Sequence, residues 1–250
     1  MSDGNNSPLG VRGMILAAGL GTRLKPWTDA HPKALAVVNG KSLLQRNIEY
    51  LQQYGIKDVI VNVHHFADQI IDSIQQNNGW GSEITISDET EAVLETGGGL
   101  QKAAWFFKDD FVLMNVDILT DLDLQKMIDQ HKQNKALATL AVTERNTSRY
   151  FLFNAQQELC GWKNIQTGEV KPSPLSCGEG PGVRQKAFSG IHVINPKIFS
   201  LMKQEGKFSM VDVYLSLCAD HKIQYFDHSD TKFIDVGKPE SVVQAEKMFL

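Results

Sequence analysis

The residues whose types and spacing could do chemistry lie early in the chain. Gly13-Met14-Ile15-Leu16-Ala17-Ala18-Gly19 runs into Leu20-Gly21-Thr22-Arg23-Leu24-Lys25-Pro26, and Pro32-Lys33 closes the stretch. A short apolar run ends in a turn of small residues, and three cations follow, Arg23, Lys25 and Lys33. Gly19 and Gly21 let backbone N–H groups approach a ligand that side chains would block. A triphosphate needs close backbone donors and several positive charges around it. The stretch therefore reads as a nucleotide site. Two carboxylates farther along complement it: Asp117 ends an apolar run that starts at Phe111, and Asp235 sits within Lys232-Phe233-Ile234-Asp235-Val236-Gly237. A buried, unpaired carboxylate is expensive, so Asp235 calls for a cation nearby. Together the two suit Mg²⁺, which takes one or two protein carboxylates plus phosphate oxygens.

Spacing excludes two common phosphate loops. The pattern G-x-x-x-x-G-K-[ST] fails because Leu24 stands five residues after Gly19, and Gly40-Lys41-Ser42 has Leu35 where the first glycine belongs. The dinucleotide pattern G-x-G-x-x-G fails because Leu24 holds its third glycine position. A second glycine cluster, Leu94-Glu95-Thr96-Gly97-Gly98-Gly99-Leu100, runs into a predicted helix. Three glycines at a helix start each cost about 1 kcal/mol relative to alanine. A flat ligand packed on bare backbone would account for them, which makes Glu95 and the Gly97 and Gly98 backbone groups candidates for reading a nucleobase. Asp121 and Asp123 form a D-x-D pair that could hold a metal, but a helix cap accounts for them more simply. His192 and the pair His64-His65 lack metal-ligand partners at a useful spacing and read as structural histidines.

The elements that must position these groups follow a strand–helix–strand rhythm. Met14 to Ala18 has the length of a buried parallel strand. Ser42 can cap a helix in which Leu44, Ile48 and Leu51 recur, with Gly55 just past its end. Residues 58–63 form the next buried strand, 67–76 a helix, 84–86 a strand, and 136–143 a further buried strand. Such βαβ units make a parallel sheet the default, and ligands gather beyond the carboxyl ends of its strands. From 144 to 186 the pattern loosens into short apolar runs and turns, as an acceptor-binding insertion or a surface hairpin would. Gly190 interrupts the strand over 187–194, which marks close approach of a ligand or another backbone. A helix over 210–220, a strand over 222–226 and a terminal helix opened by Lys238-Pro239 complete the chain.

The chain has 250 residues, 42% of them hydrophobic and 22% charged, enough for one α/β domain with a packed core. Its net charge of −4 gives no support to nucleic-acid binding. The first twelve residues, polar and without an apolar core or lipidation motif, read as a loose tail before a single domain over 13–250. No apolar run is long enough to span a membrane. Cys160, Cys177 and Cys218 lie too far apart for a C-x-x-C site and read as reduced thiols of a cytoplasmic protein.

The motifs G-L-G-T-R-L-K-P with P-K, L-E-T-G-G-G, N-V-D, F-S-G-I-H-V-I and F-I-D-V-G-K-P-E occur in one order. That set resembles the nucleotidyltransferases that make nucleotide-sugars from sugar 1-phosphates, over nearly the whole chain. The resemblance implies a Rossmann-like, mixed and mostly parallel sheet with helices on both faces. It implies attack of a sugar 1-phosphate on the α-phosphorus of an NTP, with release of pyrophosphate and Mg²⁺ as cofactor. In this sequence Arg23 would hold the β- and γ-phosphates, Lys33 would neutralise the α-phosphate and Lys25 would support the positive field. Gly21 and Thr22 belong to the same phosphate loop. Asp117 and Asp235 would hold Mg²⁺; Glu95, Gly97 and Gly98 would face the base, with Ala18 and Gly19 bordering it; Asn115 and Gly190 would meet the sugar.

Within the family the motifs are most similar to enzymes using UTP and N-acetylmuramate 1-phosphate, in cell-wall recycling, as a monomer or small homo-oligomer. Guanylyl transfer to a mannose- or heptose-type 1-phosphate is the alternative, and a non-catalytic nucleotide-sugar sensor is the reading from another class. Three positions depart from the pattern: Val116 stands for the usual glycine, Lys238 for the usual threonine, and Tyr150 where the uridylyltransferases carry an aspartate.

Overall fold

A computed structural model of the chain describes residues 10–172 and 182–249. The first strand, β1 (Arg12–Leu16), alternates its side chains between two faces, and both are covered. Met14 and Leu16 enter one apolar cluster; Ile15 enters another on the opposite face. A strand buried on both sides must lie inside a sheet. β1 pairs in parallel with β4 (Asp58–Val63) and β6 (Phe111–Asn115), and β4 with β5 (Glu83–Asp88). Between β1 and β4 the chain makes a small ribbon, β2 (Val37–Val38) against β3 (Lys41–Ser42).

Beyond β6 the sheet turns antiparallel. The long strand β12 (Arg184–Ile194) pairs with β6, with β8 (Ala138–Thr143) and with β9 (Arg149–Phe153). β10 (Leu159–Asn164) and β11 (Val170–Pro172) extend that edge, and β13 (Ile223–Asp227) runs parallel to β8. The looser stretch after Thr143 is thus a set of antiparallel strands that continues the main sheet. Apart from it, β7 (Ile118–Thr120) pairs with β14 (Phe233–Asp235). The expected mixed, Rossmann-like sheet with helices on both faces is the observed fold.

One face carries α1 (Leu43–Gln53), α2 (Ala67–Gln76) and α4 (Leu124–Asn134), through Ile48, Ile70 and Met127. The other carries α3 (Glu95–Lys102), α5 (Ile198–Leu201) and α6 (Met210–Leu217), through Leu100, Ile198 and Tyr214. A third, small cluster packs α7 (Pro239–Met248) over the β7–β14 pair through Ala245, Leu119 and Ile234. Local sequence sets these helices. Ser42 Oγ accepts from the Gln45 N–H at 3.1 Å to cap α1, and Asp123 Oδ1 accepts from Lys126 N–H at 3.1 Å to cap α4.

Two expectations are corrected. Val11 is buried and Arg12 opens β1, where its guanidinium lies 4.8 Å from the centre of the Phe106 ring and 3.7 Å from the Asp58 carboxylate. The fold therefore takes in the end of the expected tail, whose first nine residues lie outside the described ones. Cys218 is buried and its Sγ donates to the Leu215 carbonyl at 3.4 Å, but Cys160 is disulfide-bonded, so the chain is not uniformly reduced. Sequence spacing rules out a C-x-x-C site and says nothing of cysteines that folding brings together. Cys177 lies outside the described residues.

The structural reading of His192 holds. It is buried between sheet and α6, its Nδ1 2.7 Å from the Tyr214 hydroxyl, and burial pulls its pKa down to about 3. The unfolded chain takes up this proton near pH 6.5, well above the folded value. Stability from the neutral ring is therefore present above that pH and is lost as pH falls toward the folded pKa. Between pH 7 and pH 4 this group should cost about 3 kcal/mol. Urea unfolding at the two pH values should show a difference smaller by that amount in His192→Phe.

Candidate active site

The loop after β1 is shaped by Gly21, whose φ of +63° starts a short 3-10 turn, Thr22–Leu24. Its carbonyl accepts from the Leu24 N–H at 2.8 Å and from the Thr28 hydroxyl at 3.0 Å. A Cβ here would stand 2.9 Å from the side chains of both Thr28 and Lys33. The turn folds the loop back so that Lys33, only 8% exposed, lies beneath it.

The Lys33 ammonium donates to Asp117 Oδ2 and lies 4.0 Å from Asp235 Oδ1. Arg23 approaches the other Asp235 oxygen at 3.6 Å. Sheet register explains this meeting of distant carboxylates: Asp235, at the end of β14, stands opposite Ile118 in β7, next in chain to Asp117. The Val236 N–H donates to the Asp117 carbonyl at 2.8 Å and clamps the two turns together. From α1, buried Asn47 donates to the Val116 carbonyl at 2.7 Å and fixes the Asp117 turn from behind. Gly237 leaves room for Arg23, whose Nη2 would lie 2.9 Å from a Cβ placed there.

A cavity of about 420 Å³ opens beside this group, beyond the carboxyl ends of the parallel strands. Ala18, Gly19, Gly21, Thr22, Arg23 and Lys33 line it from the first loop. Glu95, Asn115 and Asp117 line it as well. Asp235 reaches the site through Lys33 and Arg23. Its Oδ1 is buried with no hydrogen-bond partner, and burial, then the negative charge of Asp117, raise its pKa.

Four candidates stand elsewhere. Lys25 is exposed and paired with Asp29 at 2.8 Å, off the cavity wall. The N–H groups of Gly97 and Gly98 donate to the Phe208 carbonyl at 2.9 and 3.3 Å. A Cβ on Gly97 would meet the Phe208 ring at 2.4 Å, and one on Gly98 the Gly206 carbonyl at 2.2 Å. These glycines are bare because the loop before α6 packs on α3, so their donors are not free to face a base. Gly190, with φ +74° in a bulge of β12, abuts the Asn115 amide, 2.8 Å from where its Cβ would lie. The group that approaches this strand glycine closely is a side chain of the cavity wall. The D-x-D pair is occupied too: Asp123 caps α4 and Asp121 Oδ1 accepts from the Lys232 N–H at 2.7 Å.

The structure also adds residues. Asn62, the one polar residue amid the apolar run of β4, accepts from the Ala17 N–H at 2.7 Å and donates to Glu89 at 2.8 Å. Its setting in an apolar strand was a usable signal. Glu89 is 1% exposed and burial raises its pKa, although it stands in the polar run Asp88-Glu89-Thr90-Glu91. Thr96 and Ser209 line the cavity as well. Arg145 lies over the Phe233 ring at 4.6 Å and donates to the Phe188 carbonyl at 2.8 Å, while its charge, with those of Lys33 and Arg23, opposes the net rise of the Asp235 pKa that burial causes. Of the three departures, Val116 lines the cavity, Lys238 precedes α7, and the Tyr150 hydroxyl accepts from the Thr147 N–H at 3.0 Å.

A family model described as nucleotidyl transferase matches residues 12–250. The chain belongs to this family. Similar family members include a mannose-1-phosphate guanyltransferase of Yarrowia lipolytica, 28% identical over 96% of this chain and 64% of its own length. An N-acetylmuramate alpha-1-phosphate uridylyltransferase of Caulobacter vibrioides is 29% identical over 93% of this chain and 94% of its own. The chain thus spans less than two thirds of the first of these relatives. Among solved structures, HddC from Yersinia pseudotuberculosis complexed with GMP-PN has TM-score 0.75 and 25% identity, covering 96% of this chain and all of that one.

Proposed function

We propose that the chain is a sugar-1-phosphate nucleotidyltransferase that uses UTP and N-acetylmuramate 1-phosphate. The observation that carries the class is the buried Asp235 Oδ1, without a hydrogen-bond partner, beside Asp117, Lys33 and Arg23, at the edge of a glycine-turn cavity. Two carboxylates forced together favour a cation, and an all-oxygen donor set suits a hard one. Asp117 and Asp235 would therefore hold Mg²⁺. Bound there, the ion supplies charge neutralisation for phosphate oxygens.

The chain's own groups supply positioning and charge. Backbone N–H groups of the Gly19–Thr22 turn border the phosphates. Arg23 holds the β- and γ-phosphates, and Lys33 lies where charge grows at the α-phosphate. The sugar phosphate oxygen forms its bond to the α-phosphorus as the bond to the β-phosphate oxygen breaks, and pyrophosphate leaves. Glu95 accepts from N3–H of uracil. Asn115, braced by Gly190, faces the acceptor, with β9 to β11 as the acceptor-binding extension.

UTP with N-acetylmuramate 1-phosphate is favoured by the Caulobacter relative, which matches this chain over nearly the full length of both. The HddC structure with GMP-PN favours a second reading, guanylyl transfer to a heptose- or mannose-type 1-phosphate. Glu95 suits that too, because a carboxylate also accepts from N1–H and N2–H of guanine. Pyrophosphate release with Mg²⁺, across nucleoside triphosphates crossed with sugar 1-phosphates, separates them. A joint requirement for UTP and N-acetylmuramate 1-phosphate is expected. A preference for GTP selects the second reading, and silence with nucleotide still bound indicates a sensor. In Asp117→Asn turnover should disappear with folding retained; near-normal turnover would sink the metal assignment.

A further inference from the structure

A second cavity, about 410 Å³, lies at the other pole of the molecule. Asp110, Leu137 and Lys222 stand just before the parallel strands β6, β8 and β13, and Asn195 just after antiparallel β12. This end of the sheet is opposite the carboxyl ends where the catalytic cavity opens. Lys132, Lys135, Lys197 and Lys222 line it, with His131 and His221; Asp110 and Asp220 are its acids. The excess of lysine over aspartate contrasts with a chain of net charge −4.

Elsewhere lysines such as Lys33, Lys41, Lys171 and Lys186 hold carboxylates within 4 Å. Among the described residues, none of the four around this cavity has such a partner. His131 and Lys132, in the last turn of α4, are accounted for by the helix dipole. Lys197 and Lys222 come from other segments, which the dipole does not explain.

His131 is the second, independent observation. It is 1% exposed, and its Nε2 is buried with no hydrogen-bond partner, the Asp110 oxygen being too far at 3.7 Å. The network behind it holds the ring in place. Asn134 donates to Gln224 Oε1 at 2.9 Å, and Gln224 donates to the Thr139 hydroxyl at 3.0 Å. That hydroxyl lies 2.9 Å from His131 Nδ1 and can donate to it. With Nδ1 as the acceptor, Nε2 is an N–H donor in the cavity wall, with the Asp110 carboxylate 3.7 Å away and no acceptor at hydrogen-bond distance. A buried, unused donor is destabilising, and an incoming acceptor would recover that cost.

We propose that this cavity is a second binding site, for a phosphate-bearing anion, with the four lysines supplying charge and His131 Nε2 the buried donor. The proposal is independent of the transferase reading. Inorganic phosphate is the probe, followed through the imidazole ¹⁵N–¹H signals of the full chain. The expected result is a saturable shift of His131, retained in Arg23→Ala. In the Lys132→Ala/Lys222→Ala double variant its apparent affinity should fall about tenfold, the combined worth of two exposed charge pairs. An unmoved His131 signal, or the same weak shift in the double variant, overturns the site and leaves an adventitious ion only. Sugar phosphates and nucleoside monophosphates in the same titration then distinguish the source of the phosphate.

Discussion

Substituting Lys33 by methionine is expected to lower nucleotidyl transfer about a thousandfold, the upper end of what one preorganised charge is worth in a desolvated site. Methionine keeps an unbranched stem under Gly21, so the loop can still close. What it removes is the ammonium that touches Asp117 and lies 4.0 Å from Asp235. Without it the two carboxylates face each other, and the protein should lose about 3–5 kcal/mol, the usual cost of stripping one partner from a buried pair. Added Mg²⁺ should then raise the melting temperature more in the variant than in the native protein. Pyrophosphate release and paired melts with and without Mg²⁺ check both halves. Full turnover together with an unchanged Mg²⁺ response would remove Lys33 from the site.

The second large effect falls on stability. In Gly98→Ala the new methyl would stand 2.2 Å from the Gly206 carbonyl oxygen, a contact that backbone must move to relieve. Overpacking of this kind costs about 1–3 kcal/mol, or roughly 3–10 °C in a chain of this size. The loss should appear without any nucleotide present. A variant with unchanged melting but altered base preference would return Gly98 to the base-reading role that its spent N–H argues against.

These two variants mark what a reader of the sequence can and cannot see. Gly21, Arg23, Lys33, Asp117 and Asp235 lie at turns after strands whose apolar runs are plain, so topology alone brings them to one end of a sheet. Helices are equally readable where a cap is present: α2 falls on the expected residues, and Ser42 and Asp123 cap as their types suggest. Gly97 and Gly98 mislead because a glycine shows only that something comes close. Whether that is a base or Phe208 depends on a segment over a hundred residues away. Lys25 misleads for the opposite reason: its partner Asp29, a turn later, was available to it locally. Glu89 and Arg145 are hidden because burial of a charge is set by the fold around it.

The small β7–β14 pair has a consequence in time. Thr120 donates across it to the Lys232 carbonyl, 112 residues on, at 2.8 Å, and the same pairing delivers Asp235 to Asp117. Every strand of the ten-stranded sheet precedes β14 in the chain. During synthesis the strands of the sheet and the glycine turn leave the ribosome before the second carboxylate does. Under the proposed function, a nascent chain would hold its phosphate turn before it holds the carboxylate pair of the proposed metal site.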